Sequence, residues 1–118
     1  MSKKFKDLVP GNSLFILCID PETNEFGKII SCIVDKLNDS KTILGVRYVN
    51  PKNKDEMITS HFRVNPESYI NDSLKEDKEH RMMALFETKT DAVENYIAFC
   101  EEKIETYKNN IEKVSRLV

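Results

Sequence analysis

Residues 88–118, TKTDAVENYIAFCEEKIETYKNNIEKVSRLV, contain neither proline nor glycine. Apolar or semi-apolar side chains stand at Val93, Ile97, Cys100, Ile104, Tyr107, Ile111, Val114 and Val118, with steps that alternate between four and three. That spacing is the heptad repeat of one helix face. A strand would need an alternation of period two, and none is present. A helix over this stretch is roughly 40 Å long at 1.5 Å per residue, longer than the small domain that precedes it is wide.

The helix has a defined start. Thr88 is placed as N-cap, its hydroxyl able to accept from a free N–H of the first turn. Asp91, three residues on, sits against the positive helix end. In the first half Ala92, Tyr96 and Phe99 widen the stripe of Val93, Ile97 and Cys100, which suits packing on a globular core. Beyond Glu101 the stripe narrows to Ile104, Tyr107, Ile111, Val114 and Val118, nearer to a coiled-coil seam. With Ile97, Ile104, Ile111 and Val118 at position a, a parallel in-register dimer would set Lys103 at g against Lys108 at e of its neighbour. That like-charge pair argues against such a dimer. An antiparallel pair, a trimer, docking into the groove of another protein, and packing on the chain's own core all remain open.

Upstream, the pattern is that of short strands. Residues 14–19 form a continuous apolar run bounded by Gly11-Asn12 and Asp20-Pro21, too short for an amphipathic helix and read as a buried strand. In residues 26–37, Ile30, Cys32 and Val34 alternate with Ser31, Ile33 and Asp35, and Gly27 is placed for a bulge. Residues 42–49 put Leu44, Val46 and Tyr48 on one face with Arg47 on the other, and Gly45 marks a bend or a close neighbour. Residues 50–55, NPKNKD, read as a turn. Residues 57–64 alternate Ile58, Ser60, Phe62 and Val64 with Met57, Thr59, His61 and Arg63, a half-buried antiparallel strand. Tyr69, Ile70 and Leu74 anchor an excursion over 65–81 that is either a loop or a short surface helix. Met82 to Phe86 is the last strand. At the front, Phe5, Leu8 and Val9 are expected to cover one end of the sheet, and Pro10-Gly11-Asn12 to turn the chain.

Five strands joined mostly by turns, followed by one helix, define an α+β chain. The strands form a small antiparallel five-stranded β-barrel or bent sheet over residues 1–87, and the long C-terminal helix occupies 88–118. At 118 residues the chain is long enough to bury a core as one unit. A formal net charge of −2 supplies no global field toward nucleic acid or an anionic membrane. No apolar run is long enough to cross a bilayer, and the charged start MSKKFKDLVPGN lacks the apolar segment of a secretion signal. Cys18, Cys32 and Cys100 lie inside apolar patterns without C-x-x-C spacing, as reduced core thiols of a cytosolic product do.

Reactive groups do not gather. His61 falls in the outward register of its strand and His80 in a charged loop, neither with a partner at metal-ligand spacing. Gly11, Gly27 and Gly45 are too far apart for a phosphate loop. Glu101 and Glu102 are adjacent on a helix and point different ways. The expectation is a non-enzyme without cofactor or metal. A nucleic-acid surface would use Lys28, Arg47, Lys52, Lys54 and Arg63, joined by His61. The aromatics available for stacking, Tyr48 and Phe62, fall on the opposite face, which weakens that alternative.

Two stretches carry a resemblance. Leu8-Val9-Pro10-Gly11-Asn12-Ser13-Leu14-Phe15 is similar to an L-x-x-G-D-x-hydrophobic-aromatic lead into a first strand. Phe86-Glu87-Thr88-Lys89-Thr90-Asp91-Ala92 is similar to an F-x-T-K-E-E-A passage from last strand to helix, departing from it at Thr90-Asp91. In these the chain resembles small five-stranded barrels of the Src-homology type with a C-terminal helix, found among proteins of phages and prophages. The resemblance implies an architecture and brings no catalytic residues.

The leading expectation is therefore a structural or adaptor protein, in the cytoplasm or, if phage-encoded, in the virion. It would join copies of itself or a larger protein assembly through Ile104, Tyr107, Ile111, Val114 and Val118. An inhibitor or regulator of another protein would present the same stripe.

Overall fold

The computed structural model describes residues 3–20, 22–23, 25–76 and 83–117. Pro21, His80, Met82 and Val118, each given a place above, lie outside the described residues. Five strands, β1 (Ser13–Ile19), β2 (Phe26–Leu37), β3 (Ile43–Asn50), β4 (Asn53–Arg63) and β5 (Met83–Phe86), precede the helix α2 (Lys89–Ser115). A single helical turn, α1 (Ser73–Glu76), precedes β5. The strands form one antiparallel sheet in the order β4-β3-β2-β1-β5. The sheet is open rather than a closed barrel. β5 pairs with β1 over only four residues, its other edge receives the Ser73 side chain at Leu85, and β4 and β5 are not paired.

β1 is the strand covered on both faces, which is why its sequence is a continuous apolar run. On one face Leu14 and Ile16 join Cys32, Val34, Leu44, Val46, Phe62 and Leu85, under a cover of Phe5, Leu8, Val64 and Ile70. On the other Leu17 and Ile19 join Ala84 and Phe86 beneath Leu74, Ala92 and Phe99. The cover of the first face is pinned by backbone bonds from Phe5 N–H to Ser68 O and from Ile70 N–H to Lys3 O. Lys4 and Lys6 reach Glu67 at 3.3 and 3.0 Å, so part of the basic N-terminal group is ion-paired. Val9, expected in this cover, is instead exposed.

Gly27 is the extra residue of a bulge: Cys18 opposes Lys28, while Ile19 opposes Phe26. The insertion re-phases the strand, so Phe26 comes to the α2 side and meets the Tyr96 ring at 5.8 Å. A Cβ on Gly27 would stand 3.1 Å from the Cys18 carbonyl oxygen, so any other residue there would press the β1 backbone aside by a few tenths of an ångström. A second shift between Val34 and Lys36 leaves Asp35 as an extra residue.

The turn expected over residues 50–55 is shorter than that. It is Pro51 and Lys52 alone, closed by Lys52 N–H donating to Asn50 Oδ1 at 2.9 Å. β4 then begins at Asn53, and the register shift between Val49 and Asn50 takes up residues 54–56. The segment left open between loop and helix contains a 3-10 turn (Ile70–Asp72) running into α1. Ile70 and Leu74 are buried there, whereas Tyr69 is exposed.

Candidate assembly interface

α2 starts where its cap places it. Thr88 has extended dihedrals, and its side-chain oxygen accepts from Asp91 N–H at 3.0 Å. Asn71 fixes the approach by accepting from Glu87 N–H at 3.0 Å and donating to Asp91 Oδ2 at 3.1 Å. From there the helix crosses the β1–β5 part of the sheet.

The face set on the sheet is not the heptad stripe. Ala92 and Phe99 are buried, with Tyr96 and Cys100 packed partly beside them, while Val93 is 40% and Ile97 50% exposed. The residues that widen the stripe dock; most of the stripe turns outward. Two contacts finish the docked edge: Lys103 Nζ lies 5.5 Å from the Phe99 ring centroid, and Tyr96 and Phe99 stack at 6.2 Å. Burial first, and then its neighbour Cys100, push the Tyr96 phenol up to about 12.

Past Lys103 the helix leaves the sheet. Every residue from 104 to 117 is exposed. A compact chain of this length would have a radius of gyration of about 13–14 Å. The observed value is 16.6 Å, with a longest extent of 58 Å. Ile104, Tyr107, Ile111 and Val114 stand 53–66% exposed on this overhang. They form one row, which Asn110 and Ser115 flank around an open apolar surface. The fifth residue expected in the row, Val118, lies outside the described residues.

The basic residues of the alternative are only partly brought together: Lys28 and Arg47 border one open concavity between β2 and β3, while Lys52, Lys54 and Arg63 are not among its lining. Arg47 and Arg63 share a sheet face, since Arg47 opposes Thr59 and Ile43 opposes Arg63. Arg47 is 3.8 Å from Asp35, which offsets its charge. Lys28 lies in the register of Cys18, on the other side of β2. Lys52 is in the β3–β4 turn, and Lys54 is in the bulge after it. Of the two aromatics, Phe62 is in the core and the Tyr48 hydroxyl is 3.0 Å from Ser60 Oγ. Phe62 is thus turned away from the arginines, whereas Tyr48 borders the same concavity as Arg47.

Burial pushes the Cys32 thiol up to about 11 and raises that of Cys18 more modestly. Cys100 is also free. Among the described residues no three His, Cys, Asp or Glu groups converge as metal ligands, and no helix is long and apolar enough to cross a membrane.

Features unread in the sequence include the Phe26–Tyr96 contact, the Asp35–Arg47 pair and the edge of β4, which no strand flanks among the described residues. The last had a signal in Met57-Ile58-Thr59-Ser60-His61-Phe62, six strand-forming residues without Lys, Asp, Glu or Pro. Comparison with protein-family models, with curated proteins and with solved structures finds no match to this chain.

Proposed function

We propose that this chain is a non-enzymatic structural or adaptor protein. The sheet serves as a rigid base, and the distal half of α2 joins copies to one another or docks them onto a larger protein assembly. The observation that carries this reading is the overhang. Ile104, Tyr107, Ile111 and Val114 lie in one exposed row on a helix segment that nothing else in the described chain supports. Contiguous exposed apolar side chains of this kind mark interaction sites, and a helix of about a dozen residues is marginal in water without a packing partner. The chain would act in the cytoplasm or, in the setting its resemblance suggests, as a component of a phage virion.

Light scattering during size exclusion, over a range of protein concentrations, tests the reading when the parent chain is compared with Ile111→Asp. Self-assembly predicts a mass above the monomer that falls in the variant while its circular dichroism is retained. Docking on a different protein predicts equal masses for parent and variant, of which only the parent recovers a partner in pull-down. A variant that matches its parent in mass and in partners would remove the distal helix from consideration.

A further inference from the structure

The sheet has two edges, and they are finished differently. At β5, the Ser73 side chain takes both backbone groups of Leu85, donating to its carbonyl and accepting from its N–H. At β4, the bond from Val64 N–H to Thr42 O at 2.8 Å sets the phase of the ladder. Antiparallel alternation then turns the backbone groups of Ile58, Ser60 and Phe62 toward β3, and those of Met57, Thr59, His61 and Arg63 away from it. Among the described residues only β3 runs beside β4. Edge strands are normally blunted by Lys, Pro, inward charge or a covering segment. On β4 such charges are confined to the two ends of the strand, with Lys54, Asp55 and Glu56 before Met57 and Arg63 after Phe62.

We propose that this edge pairs with β4 of a second copy of the chain, antiparallel across a twofold axis on which Ser60 faces Ser60 of the second copy. Charge selects both the partner and the direction. Asp55 and Glu56 are exposed at the start of β4, and Arg63 is exposed at its end. Antiparallel pairing brings each Arg63 toward the acidic start of the other strand. Parallel pairing would set arginine on arginine and acids on acids. The same register opposes Thr59 with His61 and Met57 with Arg63 on one face. On the other it opposes half-buried Ile58 with Phe62, a β-branched and aromatic pair of the kind that stabilises sheets. The core beneath Phe62 would thus continue from one copy into the next.

This surface lies at the opposite edge of the sheet from the strands that carry α2, so the inference does not depend on the helix reading. It is tested on the Ile111→Asp chain, in which the distal helix is disabled. Light scattering from micromolar to millimolar concentration should still show a dimer. Adding Thr59→Pro should reduce the mass to a monomer with the fold retained, because proline there removes a donor that faces away from β3. Ser60→Cys guards against a proline variant that fails to fold. Facing residues of a non-hydrogen-bonded pair are about 4.5 Å apart at Cα, within disulfide reach, so mild oxidation should link two Ser60→Cys chains well above the background of the parent's own cysteines. An Ile111→Asp chain that is monomeric at every concentration overturns the proposal. So does a dimer that Thr59→Pro leaves intact, an absence of cross-linking above background, or an edge that binds an unrelated extended peptide but not itself. An Ile111→Asp chain that matches its parent both in mass and in recovered partners counts against the helix reading alone.

Discussion

The Ser73 hydroxyl donates to the Leu85 carbonyl at 2.8 Å and accepts from the Leu85 N–H at 2.9 Å, and both residues are buried. One side chain thereby satisfies the backbone groups that Leu85 turns away from β1, where no strand runs among the described residues. In Ser73→Ala both Leu85 groups remain buried without a partner. The expected loss is about 1–3 kcal/mol, read as a lower urea midpoint.

The two faces of α2 should respond differently to truncation. Phe99 lies between helix and sheet, so Phe99→Ala is expected to cost about 3–5 kcal/mol through lost burial and a cavity. Ile104→Ala, measured at protein concentrations low enough to keep the chain dispersed, should stay within about 0.5 kcal/mol of the parent, as surface changes do. Chemical denaturation of the pair compares the two faces directly.

Gly27 allows the β1–β2 bulge. A side chain there meets the Cys18 carbonyl, which belongs to a paired strand and has little freedom to move aside. Gly27→Val is expected to destabilise by about 1–3 kcal/mol, in the range of overpacking. The near-ultraviolet circular dichroism of Tyr96 should change with it, since the bulge sets Phe26 against that ring.

The Thr88 cap is a local device. Thr88→Ala should lower stability by about 1 kcal/mol without altering the mass in solution, because the capped end lies at the sheet and the overhang at the other. Thermal denaturation together with light scattering checks both halves of that expectation.

Alkaline pH should act through the buried thiol. Burial raises Cys32 to about 11 in the folded chain, against about 8.5 for a free thiol. The folded state therefore holds its proton over a range in which the unfolded state has released it, and stability falls as pH rises through that range. The contribution is fully present below about 8.5 and is lost on the way to 11. Urea midpoints from pH 7 to 11 should decline, and Cys32→Val should reduce the slope.

Local chemistry made much of the chain legible. The Thr88 cap, the two-face alternation of β2 to β4, the Gly27 bulge and the burial of β1 each follow from a few neighbouring residues and are present as read. The direction of the helix stripe was not legible. Heptad spacing says that Val93, Ile97 and Ile104 share a face, but not which face meets the sheet, and that is settled by the fit of Ala92, Tyr96 and Phe99 over β1 and β5. Closure of the strands was equally hidden, because whether β4 and β5 pair is a matter of long-range geometry, and the Ser73 hydroxyl that meets the far side of β5 is twelve residues away from it in sequence. Arg47 and Arg63 do share the face that alternation gave them. Lys28 does not, and neither the Asp35–Arg47 pair nor the length of the β3–β4 turn could be read from the spacing of charges.

The angular offset between the docked and outward faces of α2 separates two kinds of selection on one helix. Where the outward row is the contact surface proposed above, substitutions at Ile104, Ile111 or Val114 would alter what it recognises without touching Ala92 or Phe99, and a repaired core would leave recognition unchanged. Relatives of this chain could therefore keep the same sheet and the same cap while their outward rows diverge freely, each fitted to a different counterpart.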